Sequence, residues 1–276
     1  MSNTDKRFSF EFFPTKTDAG AEKLEKLWGD LNALNPAFFS VTYGAGGSTR
    51  DNTLSIVKKM KSQGLNVAPH LSFGGDDEAA MTSLLDTYKN LGVDRIVALR
   101  GDIPSGMGAS RIVYANELVE FIRKHSGEHF HLEVAAYPEI HPESTSYTTD
   151  IDFLKKKLDA GANTAITQYF FNADSYFYFA EACQKAGIDK PIYPGIMPIT
   201  NFNNLCRFSA NCGAEIPQWL KRKVESLGND NDAIQAFGQE MVIRLSQQLL
   251  DGGAPGLHFY TMNQLEPIQA IYKAVV

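Results

Sequence analysis

Cysteine is scarce. The chain has three in 276 residues, at positions 183, 206 and 212, too few and too unevenly spaced for a disulfide framework or a zinc site. No apolar run approaches the roughly 20 residues that span a bilayer, and the opening MSNTDKRF has no apolar stretch of the signal-peptide kind. Basic residues form only short runs such as Lys155-Lys156-Lys157, and the formal net charge is −6, which argues against nucleic acid as a partner. The expectation is a cytoplasmic protein that binds neither membrane nor nucleic acid. Several signatures are also missing. PTKTDAGAEK stands where a G-x-G-x-x-G turn would follow a first strand, and there is neither a P-loop nor a G-x-S-x-G. The six histidines form no H-E-x-x-H, and no metal is expected. No strand end carries a lysine placed for a Schiff base, which counts against an aldolase.

The residues present, 43% hydrophobic and 21% charged, suffice for a folded core. The length exceeds a common domain but suits one α/β barrel of roughly 250 residues. Eight runs rich in β-branched and aromatic residues recur: Phe8 to Phe13, Phe38 to Gly44, Asn66 to Phe73, Arg95 to Asp102, His131 to Pro138, Thr164 to Phe171, Pro191 to Pro198 and Gly256 to Asn263. Between them apolar residues repeat at helical spacing, as in Leu24, Leu27, Trp28, Leu31 and Leu34, in Leu84, Leu85, Tyr88 and Leu91, and in Ile151, Leu154 and Leu158. NLGVDR, DAGANT and KAGIDK place a glycine where a helix ends before a strand. Alternating strands and helices pair in parallel, and a count of eight favours the closed (β/α)8 barrel over an open doubly wound sheet. One catalytic barrel domain over residues 1–276 is expected, with extra helices between Pro198 and Gly256.

In such barrels chemistry takes place at the C-terminal ends of the strands. Polar residues there are Glu11, Thr42, Tyr43, His70, Arg100, Asp102, Tyr137, Glu139, His141, Gln168, Tyr260 and Asn263. Glu11 lies among Phe8, Phe10, Phe12 and Phe13; an apolar setting would raise its pKa and keep it protonated as a general acid. The plainer alternative is an outward glutamate paired with a helix lysine. His70 suits a base, a metal ligand or a satisfied core histidine, and His129 and His131 fall at the stability end of the barrel. Arg100 and Asp102 form either a buried ion pair or a site for a polar heterocycle or phosphate. Lys156 and Lys157 are either a solvated helix face or a partner for a pyrophosphate. Gln168 is placed to read an amide edge. From the residues alone this is a barrel enzyme whose reaction stays open.

FSFEFFPTKT, FFSVTYGAGGSTRD, APHLSF, IVALRGDIP, VAAYPEIHPE, KKKLDAGANTAITQYFF, PGIMPITNF and HFYTMN together resemble the methylenetetrahydrofolate reductases, from about Phe8 to Asn263. The resemblance implies a flavoenzyme of one-carbon metabolism and methionine synthesis. In it NADH or NADPH reduces FAD, and methylenetetrahydrofolate then takes the nicotinamide's place and is reduced to 5-methyltetrahydrofolate. It implies Glu11 as the acid that opens the folate ring and Asp102 as a carboxylate near flavin and pterin. Gln168 would contact folate and nicotinamide in turn, Phe208 would stack on adenine, and Thr42 would lie near the nicotinamide. For FAD the matching positions are Tyr43, Ala45, His70, Arg100, Gly101, Asp102, Tyr114, Ala115, Tyr137, His141, Asp150, Lys156 and Lys157. Asp150 would take a ribose hydroxyl, and arginine, lysines and backbone groups the diphosphate. It also implies a homo-oligomer, and no S-adenosylmethionine-sensing domain is expected.

Two positions depart from the family's pattern. The family's FYTLNR reads FYTMNQ here, with Gln264 for arginine, and Asn204 stands where a glutamine is usual. Both face the folate tail in the family, so weaker or rearranged binding of the glutamate tail is expected, because a guanidinium is a bidentate carboxylate partner. The competing readings are a pterin- or corrinoid-linked methyltransferase, a non-catalytic flavin-binding barrel and a barrel lyase.

Overall fold

RFSFEF, the first strand β1 (Arg7–Phe12), sorts its side chains by the twofold period of an extended chain. Phe8, Phe10 and Phe12 turn outward into the layer beneath the helices, where Phe10 meets Phe39, Phe259 and Tyr272. Arg7, Ser9 and Glu11 turn inward to bond Glu133, His258 and Ser40. The structure is a computed structural model, and the residues described are 6–43, 47–73, 77–100 and 114–276.

The elements follow in strict alternation up to the seventh strand: α1 (Asp18–Asn32), β2 (Phe38–Val41), α2 (Gly47–Ser62), β3 (Val67–Leu71), α3 (Glu78–Asn90), β4 (Arg95–Ala98), α4 (Ala115–Ser126), β5 (His131–Ala136), α5 (Tyr147–Asp159), β6 (Thr164–Tyr169), α6 (Ala173–Lys185) and β7 (Ile192–Ile196). The long gap before the last strand holds α7 (Phe202–Cys212), α8 (Gln218–Ser226) and α9 (Asn231–Asp251), and β8 (Gly256–Tyr260) and α10 (Glu266–Val275) complete the chain. All eight strands pair in parallel in the order β1 to β8, and β8 closes on β1, which is the expected barrel. Closure needs a glycine: a Cβ at Gly256 would stand 1.8 Å from the Arg7 carbonyl oxygen.

Helix starts are marked by side-chain caps. Thr17 accepts from the Gly20 amide at 3.1 Å and Asp77 from the Ala80 amide at 2.8 Å, each satisfying a donor that the first helical turn leaves open. The glycine of NLGVDR, Gly92, takes φ +72°, and that of KAGIDK, Gly187, φ +79°, the left-handed stop expected there. Leu24, Leu27, Trp28 and Leu31 of α1 are buried, as are Leu84, Leu85 and Tyr88 of α3 and Ile151, Leu154 and Leu158 of α5. Each such side chain contributes about 1.5–3 kcal/mol by leaving water.

Inside the barrel the inward residues stack in three tiers. The lowest holds Glu133, wholly buried, with Arg7, Arg95 and Thr164 bound to it; the Arg7 guanidinium lies 3.5 Å from the Tyr193 ring centroid. His131 joins this tier, as its place at the strand start implies. The middle tier is apolar: Phe38, Ala68, Val97 and Ile166. The upper tier is the polar mouth. Among the described residues no helix is long and apolar enough to cross a membrane.

Candidate active site

Four strands bring the mouth together. Glu11 comes from β1, Ser40 from β2, His70 from β3 and His258 from β8. His70 Nε2 lies 3.1 Å from Glu11 Oε2, close enough for an ion pair but misaligned for a hydrogen bond. His258 Nε2 lies 3.2 Å from the same oxygen, and its Nδ1 is 2.7 Å from Ser9 Oγ. Ser40 donates to Glu11 Oε2 at 3.3 Å.

The expectation of a raised pKa for Glu11 is therefore corrected. Burial does push it upward, but the charge of His70 at close range, the hydrogen bond to His258 and the charge of His258 outweigh it and hold the carboxyl at about 2. The physical reason is strand geometry. Phe8, Phe10 and Phe12 point to the opposite face of β1, so the carboxyl meets imidazoles and hydroxyls in the lumen. Glu11 faces inward, so the outward, lysine-paired alternative is excluded as well.

A cavity of about 300 Å³ opens above this cluster, and its lining includes Val97, Leu99, Val134 and Ile166, the rings of Tyr137, Tyr169 and Tyr260, and Gln168. Gln168 is on β6 as expected, and its Oε1 accepts from the Tyr169 amide at 3.0 Å. The remaining expected residues fall in three groups. Thr42, Tyr43, Arg100, Tyr137, His141, Asp150 and Lys157 gather around the rim of β2, β4 and β5. Arg100 forms a two-pronged pair with Glu143, one contact at 3.0 Å. Asp150 accepts from the His141 amide at 3.0 Å and from Ser144 Oγ at 2.8 Å, so it orders the loop after β5. Tyr137 meets His141 edge-on at 4.5 Å, and burial lowers the His141 pKa. Lys157 Nζ reaches the Ala135 carbonyl at 2.5 Å, and burial brings its pKa down to about 8.

Other positions lie further from this cluster. Lys156 is exposed on α5, 5.0 Å from the Phe153 ring. Tyr114 is exposed at the head of α4, next to Ala115. Asn204 and Gln264 are exposed, while Phe208 on α7 packs partly against the core. Ala45, Gly101 and Asp102 lie outside the described residues.

Three participants went unread in the sequence: Ser9, Ser40 and His258. Ser9 and His258 share a face with Glu11 and with Tyr260 respectively, and the signal was the polar alternation Arg7-Ser9-Glu11 in RFSFEF and His258-Tyr260 in GLHFY; Ser40 is the polar residue of FFSV.

The donor set suits a flavin dinucleotide. Val97, Leu99, Val134 and Ile166 form an apolar wall of the kind a ring system needs, and the half-buried Lys157 ammonium is bonded to a neutral carbonyl, a setting an anionic group would complete. His70 Nε2 is buried without an aligned partner.

Eight parallel strands with an ionisable cluster and an open cavity at their C-terminal ends define a barrel enzyme. The methylenetetrahydrofolate reductase family model matches residues 1–276. The 5,10-methylenetetrahydrofolate reductase of Salmonella typhimurium is 41% identical over 267 residues, covering 95% of this chain and 88% of that protein. Methylenetetrahydrofolate reductase (NADH) 1 of Arabidopsis thaliana is 36% identical over 93% of this chain, which spans 46% of the plant protein. Among solved structures, a Clostridium thermocellum protein described as binding two copies of 5-methyl-5,6,7,8-tetrahydrofolic acid superposes with a TM-score of 0.67 at 15% identity, covering 98% of this chain and 94% of that one; this likeness concerns the fold alone. The chain belongs to the methylenetetrahydrofolate reductase family.

Proposed function

We propose that the chain reduces 5,10-methylenetetrahydrofolate to 5-methyltetrahydrofolate with electrons from NADH or NADPH, passed through FAD in two half-reactions. The observation that carries this reading is the convergence of Glu11, His70, His258 and Gln168 on one mouth in a chain of this family. FAD, when bound, supplies the hydride store between the two substrates.

The chain's own residues do the rest. Arg100 and Lys157 bind the diphosphate, with Lys156 at the edge of that site; His70, Tyr137 and His141 flank the rings. Gln168 orients the pterin by its amide and meets the nicotinamide in the other half-reaction, beside Thr42. Phe208 stacks on the adenine. Glu11 is the acid for folate ring opening: it passes a proton to the leaving nitrogen, while His70 and His258 hold its carboxyl in place. Asp102 stabilises the developing cation electrostatically. Exposed Gln264 and Asn204 replace charged or longer partners of the glutamate tail, which is held more weakly for it.

An anaerobic titration tests the reading. The purified protein is expected to be yellow, to bleach with NADH or NADPH, and to regain colour when methylenetetrahydrofolate is added. A protein that bleaches but never recolours with folate would be a flavin binder of another kind; one without flavin absorbance would contradict the proposal outright.

A further inference from the structure

Strand β6 carries one residue too many. Ile166 pairs with Tyr193 and Tyr169 with Gly195, so three steps on β6 run against two on β7. A bulge of this kind bends a strand and re-aims a side chain, and bulges recur beside active sites. Here it brings both Gln168 and its chain neighbour Tyr169 to the mouth, where regular alternation would turn one of the two outward. It also sets the Gln168 amide. The backbone N–H of Tyr169 donates to Gln168 Oε1 at 3.0 Å, so the side-chain NH2 is the end left for a ligand.

The bulge is held from the adjacent strand β7 and from β8 beyond it. The Tyr260 hydroxyl on β8 donates to the Thr167 carbonyl at 2.7 Å. Thr167 Oγ1 accepts from the Gly195 amide on β7 at 2.9 Å. Only a glycine fits between them: a Cβ at 195 would stand 2.2 Å from the Thr167 carbonyl oxygen and 2.5 Å from Tyr260 Cε2. Burial raises the Tyr260 pKa well above the ordinary phenol value, so its hydroxyl remains a donor throughout the working pH range. Without that hydroxyl the bulge carbonyl would lose a partner, and an unsatisfied buried carbonyl is costly.

We propose that Tyr260 is a positioning residue: its hydroxyl locks the Thr167 bulge, and the locked bulge presents the Gln168 NH2 to whatever carbonyl or ring nitrogen enters the mouth. The kinetic consequence rests on the folate reading above; the mechanical one does not.

Tyr260→Phe removes one oxygen and keeps the ring. Two measurements on the full-length protein decide the matter. Amide hydrogen exchange at Tyr169 should accelerate at least about tenfold while exchange in the outer helices stays unchanged. In a double-mutant cycle with Gln168→Ala, Tyr260→Phe should lower kcat/KM for methylenetetrahydrofolate about tenfold in the parent and by less than about twofold in the Gln168→Ala background. Unchanged exchange at Tyr169, or losses that multiply across the cycle, would overturn the proposal. Accelerated exchange in a protein that never turns over methylenetetrahydrofolate would uphold the lock and sink the substrate reading instead. Should Tyr260→Phe not fold, Thr167→Val, which removes the acceptor for the Gly195 amide, is judged by the same two readouts.

Discussion

The barrel buries a glutamate at each end, and the two have different partners. Glu133, at the closed end, is gripped by Arg7, by Arg95 at 2.5 Å and by Thr164. Burial pushes its pKa up, but the two guanidinium charges prevail and lower it. Glu11, at the open end, meets two histidines and a serine. Arginine grips a carboxylate with a fixed, permanently charged fork, and Glu133 is wholly buried among its partners, whereas Glu11 meets single ring nitrogens at the floor of an open cavity. The same side chain is therefore a fixed rivet at one end and an accessible acid-base group at the other. What a carboxylate can do is decided by the groups that closure of the barrel sets around it.

The sharpest way to break the contrast is to remove each carboxylate in turn. Glu133→Gln leaves two guanidinium groups beside an uncharged amide, and breaking one partner of a buried ion pair costs about 3–5 kcal/mol; urea unfolding should show this, with kcat of the surviving folded protein within about twofold. Preserved stability would mean that water reaches the lower tier. Glu11→Gln should do the reverse. It should retain flavin and its bleaching by NADH yet lose about 100-fold or more in folate turnover, close to 3 kcal/mol of barrier. Turnover within about tenfold of the parent would remove Glu11 from the acid's role.

The smallest effect is in pH dependence. A carboxyl at about 2 when folded, against an ordinary 4.5, contributes stability that is whole above about pH 4.5 and drains away as pH falls toward 2, at a slope of at most about 1.4 kcal/mol per pH unit. Glu11→Gln should flatten this part of the stability curve. A Glu11 with a raised pKa would give the opposite sign, with stability lost as pH rises above 4.5, and unfolding midpoints between pH 3 and 6 distinguish the two.

Much of this was legible in the chain. Eight apolar runs, capped helices and glycine stops are local features with local causes, so they mark the barrel before any contact is known. The strand-end position of Glu11, His70 and Gln168 was legible for the same reason. The environment of Glu11 was misread because its chain neighbours were taken for its spatial neighbours. Asp150 and Arg100 bond partners within or across the β4 and β5 loops, and no local pattern announces such pairings.

The amino-acid order by itself determined the fold class, the family and which polar residues stand at the strand ends, because periodicity, capping and motif blocks act over a few residues. Tertiary structure alone decided which groups surround Glu11, that Ser9 and His258 join it, and that a bulge locked by Tyr260 fixes the Gln168 amide at the mouth. Those outcomes depend on strands more than 200 residues apart lying side by side, and the charge state and aim of a side chain are set by what closure of the barrel places across from it.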